Sequence, residues 1–209
     1  MIYIFLWGRT GSGKSTSVRL LNEFAEAKGW SYKTFNDYTF LREMFETDTA
    51  GRFRATEHDG FEVRDVSVYE AAICALAKQI QGYQPVHERT LVTIEFTSNN
   101  YADALKFFDD ALLHKAYFFF ITADLKTCLE RVNQRTLDPI TKDDYYVPDV
   151  VLLQHYPSPY MPLYVGNERA KLIQNMAEPE VLEKQLRLAL EDILSQEELV
   201  ERVAELVAC

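Results

Sequence analysis

Cysteine, histidine and clustered basic residues are all scarce in this chain, and each shortage removes a class of function. Only three cysteines occur, Cys74, Cys128 and Cys209. An odd, widely spaced set without C-x-x-C provides neither a disulfide framework nor a zinc site, and it suits a reducing cytoplasm with buried or terminal thiols. The four histidines, His58, His87, His114 and His155, show no H-E-x-x-H spacing and no cysteine partner, which argues against a catalytic metal held by protein groups alone. Lysine and arginine total 22 against 32 acidic residues, a formal net charge of -10. With no basic run to offset it, that charge repels nucleic acids and anionic membrane surfaces. No apolar run is long enough to span a bilayer, and residues 2–7, short and without a basic leader, read as a strand and not as a signal peptide. Pro-, Gly- or Ser-rich linkers are missing as well, so the 209 residues, 47% hydrophobic, are expected to form one α/β domain over 1–209. The expected location is the cytoplasm, with no nucleic acid and no membrane as partner, and the oligomeric state, a homodimer included, stays open.

Against these absences stands one specific motif. Gly8-Arg9-Thr10-Gly11-Ser12-Gly13-Lys14-Ser15, followed by Thr16, fits the P-loop pattern G-x-x-x-x-G-K-[ST] at every fixed position. Glycines let the backbone close around a polyphosphate, so that amides from about Gly11 to Thr16 can all face its oxygens. Lys14 would place its charge on the β- and γ-phosphates, Ser15 would offer its hydroxyl to Mg²⁺, and the helix starting here would add its positive end. The context agrees: the β-rich run 2–7 precedes the loop, and Val18, Leu20, Leu21, Phe24 and Ala25 follow at helical spacing up to Lys28 and Gly29.

Further along, residues 30–35 read as a second strand ending near Asp37, and 40–45 as a short helix. Asp37 thus stands at the strand edge where open α/β sheets bind ligands, either as a base or as a helix cap. Residues 47–66 fit an irregular loop or a small hairpin. The sequence Ser67-Val68-Tyr69-Glu70 reads as a capping box for a helix that Gly82 closes. Residues 90–97 form a β-branched run carrying Glu95, a carboxylate placed to hold the magnesium shell or take a proton from an acceptor. A helix over 102–113, a strand over 117–122 and a helix over 125–135 capped by Asp124 come next. On that last helix Arg131 and Arg135 share a face, so both guanidinium groups could reach one phosphate cluster. A strand over 170–175 leads to a helix over 180–194 and another after the capping box Ser195-Gln196-Glu197-Glu198, with the many C-terminal acids on the solvated side. Strands alternating with helices predict a three-layer fold, a parallel five-stranded sheet with helices on both faces and a small helical lid.

The P-loop, the strand ending Glu95-Phe96-Thr97, the pattern over 122–135 and the terminal strand reaching Asn175 together resemble the P-loop kinases of the nucleoside and nucleotide kinase group. The resemblance implies ATP with Mg²⁺, transfer of the γ-phosphate to a small-molecule acceptor, a lid over 131–147 bearing Arg131 and Arg135, and Asp37 or Glu95 as the base. Nucleoside kinases often carry Glu-Arg-Ser where this chain has Glu95-Phe96-Thr97, so the nature of the acceptor is left undefined. The GTPase-like letters Asp48-Thr49-Ala50-Gly51 and Thr141-Lys142-Asp143-Asp144 follow no apolar strand and are read as coincidence. The alternative is a nucleotide-binding or regulatory NTPase that keeps the fold and has no small-molecule acceptor.

Overall fold

The computed structural model describes residues 1–56, 59–96, 98, 100–137 and 168–208. Along the chain, β1 (Ile2–Trp7) leads through α1 (Lys14–Ala27) to β2 (Ser31–Asn36) and α2 (Tyr38–Glu46). A hairpin of β3 (Phe53–Ala55) and β4 (Phe61–Val63) precedes α3 (Ser67–Gln81) and β5 (Thr90–Glu95). Then come α4 (Tyr101–Leu105), α5 (Asp110–Leu113), β6 (Tyr117–Thr122), α6 (Leu125–Leu137), β7 (Ala170–Gln174) and α7 (Pro179–Ala208).

Continuous apolar strands need cover on both faces, and a parallel sheet between two helical layers supplies it. The five long strands lie in the order β2-β5-β1-β6-β7, and every pairing is parallel. Alternate residues of β1 face opposite cores. Ile4 and Leu6 pack with Phe119, Ile121, Leu21, Leu186 and Leu190 under α1 and α7. Phe5 and Trp7 join Ile94, Phe118, Phe120, Leu76 and Phe108 on the side of α3. A smaller cluster of Leu41, Phe53, Phe61, Val68 and Ala72 binds α2, the hairpin and α3 into one unit. β1 leads to β2 on one side of the sheet and β5 leads to β6 on the other, so the direction of the connections reverses between β1 and β5, the kind of place where open α/β sheets bind ligands.

Several local expectations give way to tertiary packing. The segment 47–66 forms the hairpin, with Phe53 opposite Val63. The predicted capping box at Ser67 does not form: no side chain caps α3, and Ser67, already inside the helix, donates its amide to the Asp65 carboxylate at 3.0 Å. The single helix expected over 102–113 is two short ones, each started by its own side-chain cap, Asn100 and Asp109. The break between them leaves Phe108 buried in the aromatic core. The two C-terminal helices are one, and Ser195 lies inside it; Leu186, Leu190, Ile193 and Leu194, at helical spacing before it, belong to the core. β2 starts at Ser31 because the Trp30 amide turns back to the Ala25 carbonyl, and β5 ends at Glu95. Asp124 caps α6 as expected, accepting the Thr127 amide at 2.8 Å. Cys128 is buried, Cys74 is half-buried and both are free thiols, while Cys209 lies outside the described residues. Of the expected lid, 131–137 continue α6 and the rest lies outside the described residues. Among the described residues no helix is long and apolar enough to cross a membrane.

The aromatic layer sets a stability test. Phe5 is wholly buried, stacked on Phe118 with centroids 5.2 Å apart and edge-on to Phe108 at 5.1 Å. Phe5→Ala is expected to cost about 3–5 kcal/mol through lost transfer energy and a residual cavity. Equilibrium denaturation measures it, and a loss below about 1 kcal/mol would contradict this packing.

Candidate active site

The loop after β1 is held close to its neighbours by backbone geometry that excludes side chains. Gly11 has φ 81°, and a Cβ there would strike the backbone carbonyl of Cys128 on α6. Gly13, at φ 100°, is the N-cap of α1, and a Cβ on it would strike the side-chain amide of Asn175 at the end of β7. No side chain caps α1 and no acid stands in its first turn, so its positive end is left for an outside anion. One amide departs from the expected cradle: Ser12 donates to the Arg9 carbonyl at 3.1 Å and is engaged within the loop.

Lys14 is 6% exposed, and its Nζ donates to the carbonyl oxygens of Gly8 at 2.9 Å and Arg9 at 3.2 Å. Burial holds its ammonium below the ordinary lysine value, the charges of Glu95 and Asp37 pull it back up, and Arg135 lowers it further. The cation therefore rests on the loop's own carbonyls, among groups that would also surround a phosphate.

Two further expected residues meet here. Ser15 donates its hydroxyl to Glu95 Oε1 at 2.9 Å, joining the start of α1 to the end of β5. A cleft of about 310 Å³, lined in part by Ser15, Asn22, Thr34, Asn36 and Glu95, gives solvent access to this pair. A hydroxyl and a carboxylate are hard oxygen donors that suit Mg²⁺. Among the described residues no three His, Cys, Asp or Glu side chains converge. Asp37 is 8% exposed, and its amide donates to the Glu95 carbonyl at 3.3 Å. Its carboxylate makes no capping bond to α2; Asn36 does that work, accepting the Thr39 amide at 3.2 Å. Burial, and then the Asp37 charge, push the Tyr69 phenol up to about 12.

The arginines of α6 approach the loop from the other side. Arg131 Nη2 donates to Asn175 Oδ1 at 3.4 Å, and Arg135 is near enough for its charge to act on Lys14. Among the described residues Arg131 Nη1, Arg9 Nε and Ser12 Oγ are buried without a hydrogen-bond partner, a set of unmet polar groups around the loop. Two residues escape sequence reasoning in their roles. Tyr101 stacks on Trp7 at 4.5 Å, accepts the Gly8 amide at 3.1 Å and donates to the Gly8 carbonyl at 3.3 Å. Nothing in its local sequence signals this. Asn175 donates Nδ2 to the Ser12 carbonyl at 2.7 Å, and its only advance signal is its place at a strand end.

No family model and no curated protein matches the chain. Solved structures do resemble it. The shikimate kinase of Acinetobacter baumannii, in complex with shikimate, is 14% identical with a TM-score of 0.52 over 94% of both chains. Kti12 of Chaetomium thermophilum, in complex with ADP-AlF3, is 17% identical with a TM-score of 0.56 over 92% of this chain and 97% of that one. A putative kinase of Chloroflexus aurantiacus is 12% identical, with a TM-score of 0.53 over 90% and 97%. The fold is that of the P-loop kinases. The five-stranded parallel sheet with its helices is what matches.

Lys14 provides a test that needs no acceptor. A bound polyphosphate favours the charged ammonium, so Lys14 must titrate higher in the complex than in the free protein. Between those two values the free lysine is deprotonated and the bound one is not. Binding of inorganic triphosphate there is expected to take up protons, and affinity to fall as pH rises through that window. Calorimetry in two buffers of different ionisation heat reads the uptake; Lys14→Arg, always charged, should abolish it.

Proposed function

We propose that this chain is an ATP-dependent phosphotransferase that moves the γ-phosphate to a small-molecule acceptor. The observation that carries the reading is the pairing of Ser15 with the half-buried Glu95 beside a buried Lys14, with a buried carboxylate, Asp37, at the neighbouring strand end. One carboxylate is sufficient to support a magnesium ion, and the second would take an acceptor's proton. Magnesium bound with the nucleotide would draw negative charge from the β- and γ-phosphates, with Ser15 and Glu95 holding it.

The remaining steps belong to the chain's own groups. Gly8, Arg9, Thr10, Gly11, Gly13 and Thr16 shape the cradle, and Lys14 exchanges its two carbonyl partners for phosphate oxygens. Asp37 accepts the acceptor hydroxyl's proton as the oxygen attacks phosphorus in line. Arg131 and Arg135 stabilise the charge spreading over the transferred group and help keep water out.

Lys14→Ala is expected to lower turnover about 10²- to 10³-fold, the cost of one preorganised charge contact, in a folded protein. Glu95→Gln should depress both ATP hydrolysis and transfer, whereas Asp37→Asn should depress transfer alone. The assay is ATP consumption with and without nucleosides, nucleoside monophosphates and small alcohols. Hydrolysis that no acceptor stimulates, with Asp37→Asn inert, would favour the acceptor-free regulatory NTPase.

Arg135→Ala should lower the transfer rate far more than ATP affinity, and Arg135→Lys should restore only part of it because the planar fork is lost. Equal losses in affinity and rate would place Arg135 in ground-state binding.

A further inference from the structure

Asn175 occupies a place that the phosphate chemistry leaves unexplained. Its backbone is fixed from two sides: its amide donates to the Thr122 carbonyl at 2.8 Å, and the preceding Gln174 exchanges hydrogen bonds with the Gln185 side chain on α7. The side chain is 6% exposed and points both ways along the site. Nδ2 donates to the Ser12 carbonyl at 2.7 Å, and Oδ1 accepts from Arg131 Nη2 at 3.4 Å. This amide can sit only one way round. Reversed, it would set a carbonyl against a carbonyl and an NH₂ against a guanidinium.

We propose that Asn175 is a positioning residue that joins the phosphate loop to Arg131, so that one side chain sets both the Ser12–Gly13 peptide and the guanidinium. The inference rests on the phosphotransferase reading. Fixing the Ser12 carbonyl fixes the plane of the peptide it shares with Gly13, and so the direction in which the Gly13 amide points. The same side chain fills the space that a Cβ at position 13 would need. The second half of the contact concerns Arg131, whose Nη1 is buried with no hydrogen-bond partner among the described residues. A guanidinium held through Nη2 with Nη1 unmet is preset to receive an anion without losing much side-chain freedom. Ser12 and Gly13, just before α1, and Arg131, on α6, are far apart along the chain, yet they share this one amide.

The test compares Asn175→Ala and the isosteric Asn175→Asp, which keeps the acceptor for Arg131 and turns an oxygen against the Ser12 carbonyl. Mg-ATP affinity by calorimetry is expected to weaken about tenfold in the alanine variant and further in the aspartate variant, the loss of one buried hydrogen bond and the addition of a repulsion. Basal Mg-ATP hydrolysis should show coupling: Arg131→Ala combined with Asn175→Ala should cost little more than the larger single change. A lower melting temperature with unchanged affinity and independent, multiplying effects on hydrolysis would overturn the proposal and leave Asn175 a packing residue. Should the alanine variant fail to fold, the aspartate variant carries the affinity test alone, and unchanged affinity in it would have the same meaning. Wild-type protein that binds no Mg-ATP would overturn the phosphotransferase reading and this inference with it, whereas wild-type binding with unaffected variants overturns this inference only.

Discussion

A lysine ammonium kept almost wholly out of water must be given oxygen partners, and the architecture follows from meeting that demand. The loop that buries Lys14 lends it two carbonyls, and two carboxylates nearby offset the penalty of burial. Such an arrangement is stable only if the loop cannot open. Tyr101 grips the Gly8 peptide from one side and Asn175 grips Ser12 from the other. The cation, its loop and the two grips are therefore one unit.

That unit needs a rigid base. The base is the sheet, whose central strand has its residues divided between two cores and is flanked by β5 and β6. Parallel register places the ends of β1, β5 and β2 level, so that Leu6 stands opposite Glu95 and Glu95 opposite Asn36. Groups that depend on this register, Glu95 and Asp37, inherit their positions from hydrophobic packing far below them. A polar link helps to seat α1 as well: Asn22 Nδ2 donates to Thr34 Oγ1 at 2.9 Å, and Thr34 and Thr93 share a hydrogen bond of 2.8 Å. The chemistry is set at the edge, but the precision comes from the interior.

Much of this fold is legible in the sequence. The strand, loop, helix order around Gly8 to Thr16 matched, as did the β6 run and the Asp124 cap. Reading was weaker where two local signals competed with a distant one. Ser67 and Ser195 carry good capping letters, yet one lies inside a helix started by other contacts and the other lies within a continuous helix. In the same way, 102–113 has helical spacing, but burying Phe108 among Phe5 and Phe96 breaks it in two.

The sequence alone determined the glycine-rich loop, the alternation of strands and helices and the candidates Lys14, Ser15, Asp37, Glu95, Arg131 and Arg135, because these are carried by spacing and residue type within a few turns of chain. Tertiary structure decided which of them meet. Ser15 finds Glu95 across 80 positions and Asn175 finds Ser12 across 163. It also decided that Asn36 and not Asp37 caps α2, and that Tyr101 supports the loop. Such contacts depend on strand order and register, which are set by the burial of whole faces and leave no mark on the short stretch of sequence around each residue.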